Sequence, residues 1–326
     1  MMQSRRHLMQ MLGGAALLPA LGGLGACSPK ADRLAVGFQR NGILYIARTR
    51  GELDGRLKAK VGLAPEWVEF PSGPPLIEAM SAGAIDFGAV GDTPVVYAQA
   101  SGVDLRIVAG KVYGEGLANK FLVGAGSTIS DAAGLKGRKV GYTRGSSAEV
   151  SALAALESVG LTVADIQPVF LAPGDGVSAL GQGAVDALFT WDPFFTIAQQ
   201  RAGARELRFD RAGLLATALF IARTALTGGG APLLTAFLDE LAAEARWANA
   251  NKAEAVRLLA GAARMPEAEV EAMLGRLGGD PFGIETPSAE LEGNQQRVAD
   301  MLLKAESIKQ PVKVSEIFWR GWTPAA

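Results

Sequence analysis

A motif that occurs twice constrains the fold more than any other feature of this chain. Gly83-Ala84-Ile85-Asp86-Phe87-Gly88-Ala89-Val90-Gly91-Asp92-Thr93-Pro94 reads as an apolar strand whose end turns into a helix. Asp92 or Thr93 can cap that helix and Pro94 suits its first turn. The echo is Gly183-Ala184-Val185-Asp186-Ala187-Leu188-Phe189-Thr190-Trp191-Asp192-Pro193. The match extends upstream, where Val68-Glu69-Phe70, Ile77 and Met80 fall opposite Pro168-Val169-Phe170, Val177 and Leu180. Each copy therefore reads as strand, helix, strand, helix. That is a βαβ unit, and ligands of such units sit outside the carboxyl ends of the strands. Any two βαβ units share apolar strands and Gly-rich turns, so the echo alone leaves room for coincidence. Because the turn chemistry repeats along with the hydrophobic period, the expectation is an α/β chain with two similar lobes facing one cleft.

Composition excludes several classes of function. The 326 residues and 49% hydrophobic content supply a core for each of two lobes. The formal net charge is -1, and without residues 1–26, which hold Arg5 and Arg6, it is 30 basic minus 33 acidic, or -3. No nucleic-acid partner is expected from such a balance. Cys27 is the only cysteine and His7 the only histidine. Zinc clusters, disulfides within the chain, and Cys-His or Ser-His-Asp catalysis are therefore excluded, and neither a metal nor a cofactor is expected. No Walker loop is present, and Gly124-Ala125-Gly126-Ser127-Thr128-Ile129 fails the dinucleotide pattern at its last position.

Along the chain, residues 1–27 have the layout of an export signal. Ser4-Arg5-Arg6-His7-Leu8 is a charged start, and the apolar run over 9–20 is short and Gly-rich for a membrane span. The paired arginines resemble a twin-arginine signal, with Leu8 and Gln10 departing from its preferences. Leu24-Gly25-Ala26-Cys27 resembles a bacterial lipobox, in which cleavage before the cysteine leaves a lipidated amino terminus. Residues 28–32 read as a tether. Lobe 1 is expected over 33–110 plus 217–326 and lobe 2 over 111–216, with crossovers at 111–116 and 210–216. Strands are expected at 33–38, 66–70, 104–109, 121–123 and 139–142. The turns after them hold Gln39-Arg40-Asn41-Gly42, Ser72-Gly73 and Arg144-Gly145-Ser146-Ser147. Ser146 and Glu149 fit a capping box, Asn41 an N-cap, and Thr286-Pro287 the start of a last long helix. Each such turn suits caps as well as ligands. Collected at the ends of parallel strands, their free amides suit an anion.

Taken together, these segments resemble the substrate-binding lipoproteins of bacterial ABC importers for aliphatic sulfonates, with taurine and nitrate binders as relatives. The resemblance runs through Gly37-Phe38-Gln39-Arg40-Asn41-Gly42, Glu69-Phe70-Pro71-Ser72-Gly73-Pro74, the two echoed turns, Leu135-Lys136-Gly137-Arg138-Lys139-Val140 and Asn294-Gln295-Gln296-Arg297-Val298-Ala299-Asp300. It implies a two-lobed periplasmic-binding fold of type II, each lobe a mixed sheet flanked by helices, with extra C-terminal helices. It further implies no catalysis, a small organic anion as ligand, ABC permease and ATPase subunits as partners, a monomeric state, and a periplasmic or cell-surface location held by the lipid anchor alone. The ligand-binding residues it implies, together with the charged residues of the same turns, are Gln39, Arg40, Asn41, Ser72, Gly73, Asp92, Thr93, Arg144, Ser146, Ser147, Glu149, Trp191 and Asp192. Glu149 departs from the family, whose sulfonate binders often carry His there. It either completes the capping box or faces the cleft, where it would repel a bare anion and attract an ammonium group. An enzyme or binder for a pyrimidine or thiamine-precursor type of molecule is the alternative on the same fold.

Lipidation at Cys27 is directly testable. Cys27→Ser is expected to leave folding intact, because the residue precedes the tether, while releasing the protein from membranes. Intact-mass analysis of the exported native protein should find an acylated amino terminus, and a free thiol there would refute the lipobox reading.

Overall fold

Repetition of the motif has a structural cause, which is visible in the computed structural model. Residues 33–115 and 119–324 are described; the export signal, Cys27 and the tether lie outside them. Strand β1 (Ala35–Phe38) is buried along its whole length, as its apolar run requires. It leads through α1 (Gly42–Arg50) and α2 (Glu52–Val61) to β2 (Glu66–Glu69), then α3 (Gly73–Ser81), β3 (Phe87–Val90), α4 (Asp92–Ala100) and β4 (Leu105–Glu115). A second series follows: β5 (Asn119–Val123), β6 (Lys139–Tyr142), α5 (Ser147–Glu157), β7 (Gln167–Phe170), α6 (Pro173–Gly181), β8 (Ala187–Trp191), α7 (Phe194–Ala202) and β9 (Arg205–Leu207). Strand β10 (Leu215–Arg223) then returns to the first sheet. The orders are β2-β1-β3-β10-β4 and β7-β6-β8-β5-β9. In each sheet the first three strands are parallel, and the fourth runs antiparallel to the third.

Each residue of the echoed Gly-Ala-apolar-Asp motif does the same work twice. Gly83 and Gly183 close α3 and α6 at φ of 73° and 71°, a left-handed conformation that glycine adopts without a Cβ penalty. Ala84 and Ala184 donate their amides to the carbonyls of Ala79 and Ala179, at 2.8 Å in both cases. Ile85 and Val185 are buried beneath the helix they follow. Asp86 accepts from the amide of Ala35 at 2.9 Å, and Asp186 from that of Lys139 at 2.8 Å, so each carboxylate pins the start of its neighbouring parallel strand.

The sheets carry separate cores. Leu34, Val36, Phe87 and Phe220 on one face of the first sheet meet α1, α2 and a run of C-terminal helices, α8 (Thr224–Thr227), α9 (Ala231–Ala250), α10 (Lys252–Ala263) and α11 (Glu267–Gly275). Phe121, Val140, Phe189 and the apolar side of α5 form a core in the second. The last long helix, α12 (Ala289–Lys304), packs Val298, Ala299 and Leu302 against Val96 of α4 and Val150, Leu153 and Ala154 of α5, so one cluster joins both halves.

Several boundaries differ from expectation. β4 continues through Glu115, because Lys111 to Glu115 keep pairing with Leu215 to Ala218 of β10. Leu215 and Ala216 thus lie in a strand rather than a crossover. Gly51, at φ 71°, divides the first helical stretch into α1 and a separate α2. The cap of α12 is Ser288, whose Oγ accepts from the Leu291 amide, and the helix begins two residues after Pro287. Between β5 and β6 lies a short 3-10 turn, Ala132–Leu135, capped by Asp131.

Phe237 on α9 is fully buried, and its ring stands edge-on to Phe87 at 4.8 Å, which couples the C-terminal helices to the first sheet. Phe237→Ala is expected to destabilise the protein by about 3–5 kcal/mol, measured by urea unfolding, because a ring-sized cavity opens in a core that cannot collapse around it.

Candidate functional site

The carboxyl ends of the parallel strands in both sheets face a cavity of ≈ 240 Å³. One wall is made of strand ends and helix starts: Gln39, Asn41 and Gly42 after β1, Gly73 at the start of α3, Gly91 and Pro94 around the start of α4, Ser146 and Ser147 at the start of α5, Trp191 at the end of β8 and Asp192 after it. Helix starts carry amides without intrahelical partners and the positive end of the macrodipole, so this wall suits negative charge. The opposite wall is apolar. Ile43, Leu44, Tyr113 and Phe220 line it, together with Leu259 of α10, Met273 and Leu274 of α11, Leu277 and Phe282.

The two halves touch beside the cavity. The Asp92 Oδ1 accepts from the Thr93 amide at 2.6 Å, the Thr93 hydroxyl at 2.8 Å and, across the cleft, the Ser147 hydroxyl at 2.5 Å. A Cβ at Gly91 would collide with the Ser147 Oγ, so the approach of α4 and α5 depends on a residue without a side chain. Glu149 is buried too. It accepts from the Gly145 amide at 2.6 Å and from the Tyr97 hydroxyl of α4 at 3.0 Å. Burial holds the Asp92 carboxyl above its ordinary range despite the Ser147 and Thr93 donors. Burial likewise raises Glu149, outweighing the Gly145 amide, the Tyr97 hydroxyl and Arg144.

Of the residues singled out in the sequence, Gln39, Asn41, Gly73, Ser146, Ser147, Trp191 and Asp192 line the cavity. Ser72 is buried behind it at the cap of α3, and Asp92 and Thr93 lie in the contact just described. Arg40 is exposed and paired with Glu69 at 2.6 Å, and Arg144 is exposed over the Phe170 ring, so neither guanidinium lines the cavity. Glu149 neither completes the capping box nor lines the cavity. Ser146 Oγ accepts from the Ala148 amide, and the Glu149 carboxylate reaches past Ser146 to Gly145 and across to Tyr97. Asn41 occupies the cap position of α1 without a side-chain bond to the helix, which leaves its amide group for the cavity. The apolar wall carries no sequence signal as a site, because Leu259, Met273 and Leu274 fall on helical apolar positions that suit a core equally well. Among the described residues there is no cluster of potential metal ligands, and no helix is long and apolar enough to cross a membrane.

Gly91 has φ of -77°, open to any residue, so Gly91→Val should fold normally and fail specifically in bringing α4 to α5. We expect ligand affinity to fall about tenfold or more, the equivalent of overpacking one tight contact. Calorimetric titration together with an unchanged melting curve of the free protein would check it.

The geometry agrees with comparisons to known proteins. The family model described as NMT1/THI5 like matches residues 60–255. A protein of Escherichia coli (strain K12) named for binding aliphatic sulfonates is 33% identical over 299 residues, 90% of this chain and 91% of its own. Its namesake in Bacillus subtilis (strain 168) is 29% identical over 93% of this chain and 92% of its own. Among solved structures, the alkanesulfonate-binding protein SsuA from Xanthomonas axonopodis pv. citri, bound to MOPS, superposes with a TM-score of 0.80 at 29% identity, covering 89% of this chain and 99% of that one. Two sheets of matching topology, a cleft between their strand ends and full-length similarity converge on one assignment: the chain belongs to the NMT1/THI5-like family, alongside proteins named for binding aliphatic sulfonates.

Proposed function

We propose that this protein is the extracytoplasmic substrate-binding component of an ABC importer, capturing an aliphatic sulfonate in the interlobe cavity and delivering it to a permease coupled to an ATPase. The observation that carries the reading is the two-sided cavity, with helix starts on one wall and apolar side chains on the other. A sulfonate head suits amide donors, and an alkyl tail suits Leu259, Met273, Leu274 and Phe282. Nitrate would leave the apolar wall uncovered. The names of the relatives support the same ligand class. The protein binds and does not catalyse.

The same reading extends to export and motion. A twin-arginine signal would carry the chain across the membrane, Cys27 would anchor it by lipid, and it would work there as a monomer. Lobe 1 carries the first sheet, with β4 and β10 whole, together with the C-terminal helices, and lobe 2 carries the second sheet. The lobes open when empty and close on ligand, hinging at the connections β4–β5 and β9–β10. The Ser147–Asp92 and Tyr97–Glu149 bonds are the contacts made on closing.

A thermal-shift panel of alkanesulfonates, taurine, nitrate and pyrimidines tests the ligand. At about 100 times its dissociation constant a ligand stabilises by ~2.7 kcal/mol, which raises the melting point by several degrees. Alkanesulfonates should produce that shift, and the absence of a shift with every sulfonate would overturn the reading. Small-angle scattering should show the radius of gyration falling with the same ligands.

Affinity should also rise as pH falls. Burial raises the Glu149 and Asp92 carboxyls in the closed state. Closing therefore takes up protons, and its contribution is complete below the ordinary carboxylate range near 4 and is lost as pH rises through the raised values. A sulfonate stays ionised throughout, so the slope reports the protein, at most about tenfold per pH unit for each proton taken up. Glu149→Gln should flatten the slope measured by calorimetry, and an unchanged slope would assign the effect elsewhere.

A further inference from the structure

Asp192 presents a puzzle to an anion site, because it is a carboxylate in the cavity wall. An unopposed negative charge there would repel a sulfonate. The structure supplies a partner from the other half of the molecule. Arg276, which follows α11, donates from Nη2 to Asp192 Oδ2 at 2.6 Å and to the Thr196 hydroxyl at 2.9 Å. Thr196 in turn donates from its hydroxyl at 2.6 Å and its amide at 3.3 Å to Asp192 Oδ1. The guanidinium also lies over the Phe195 ring at 5.3 Å. Asp192, Phe195 and Thr196 belong to the β8–α7 segment of the second sheet, so this triangle spans the cleft.

Arg276 itself is not part of the cavity wall, and its Nε is buried without a hydrogen-bond partner. Its charge therefore acts on a ligand through Asp192. Side chains of the pair are 28% and 17% exposed, so their attraction is only partly screened by water.

From this we infer that Arg276 sets the charge selectivity of the cavity: by neutralising Asp192 across the closed cleft, it admits a bare sulfonate and disfavours one that carries an ammonium group. With the carboxylate compensated, a sulfonate head meets only amide donors and hydroxyls. An ammonium group finds no free counter-ion, since the only carboxylate in the wall is already engaged. Arg276 is a positioning residue in this scheme, and the inference rests on the sulfonate-capture reading above.

The experiment compares ethanesulfonate with taurine, which differ by one ammonium group, by calorimetric titration at neutral pH. The native protein should prefer ethanesulfonate. In Arg276→Gln the ratio of the two affinities should swing toward taurine by about tenfold or more, as expected when one partner of a part-buried charge pair is removed. In Arg276→Gln with Asp192→Asn the ratio should return to within about threefold of the native value, because the pair contributes little beyond its mutual neutralisation. Equal loss of both ligands in Arg276→Gln would reduce the residue to a structural brace and overturn the inference. So would a double variant whose ratio stays where the single one left it, which would mean that the guanidinium meets the ligand itself. If the native protein bound neither compound nor any other sulfonate, the functional reading would fall first and the selectivity claim with it.

Discussion

Everything at the cleft depends on a carboxylate that holds the start of a parallel strand. Asp86 fixes the Ala35 amide and Asp186 that of Lys139, so β3 lies in register beside β1 and β8 beside β6. Parallel strands end on the same side, and each is followed by a turn that opens a helix. Once those two pairs are in place, the starts of α1, α4, α5 and the turn into α7 must converge. No residue of the cavity has to be chosen for a ligand before this convergence is set. The Asp side chains perform the task without being near the ligand, which explains why the motif repeats as Gly-Ala-apolar-Asp while the turn after it changes from Gly91-Asp92 to Trp191-Asp192.

Legibility followed range. The echo was readable because each of its roles, helix end, buried residue and strand pin, is satisfied within a single βαβ unit. Helix starts were readable for the same reason, and Gln39, Asn41, Gly73, Ser146, Ser147, Trp191 and Asp192 all reach the cavity. Side chains whose partners lie far along the chain are not legible in this way. Glu149 stands where a capping box would place it, yet Tyr97, more than fifty residues earlier, draws its carboxylate away. Arg40 and Arg144 sit in the right turns, but each finds a nearer partner in Glu69 or Phe170. The apolar wall gave no signal at all. A leucine on α10 has the same period whether it faces a core or a cavity, and only the tertiary arrangement separates the two.

The charges around the cavity form a consistent pattern. Asp92 and Glu149 are buried carboxylates held by hydroxyls and amides, and burial keeps both above their ordinary range. Asp192 has an arginine. In a site for an anion the opposite arrangement would be natural, with exposed cations lining the wall. A wall of amides with one ion-paired carboxylate instead gives up long-range attraction, and it recognises a head group by geometry. Such a site releases its ligand more readily than one built on paired charges, because opening costs no buried ion pair with the ligand.

That exchange suits a protein that must hand its cargo on. In the opening proposed above, Ser147 would leave Asp92, Tyr97 would leave Glu149 and Arg276 would leave Asp192, returning all three carboxylates to water. Solvation of the freed carboxylates then offsets part of what closure gained from the ligand. The closed state is thus stabilised by contacts that water can replace, and the hydrophobic cluster of Val96, Val150 and Val298 remains to keep the halves together near α12. Grip comes from the ligand bridging amides on one wall to apolar side chains on the other. Neither half presents both walls in full: the Ser146, Ser147 and Trp191 turns belong to the second sheet, and Leu259, Met273 and Phe282 to the helical layer on the first. A ligand is therefore held fully only when both halves meet around it, and this couples occupancy to shape.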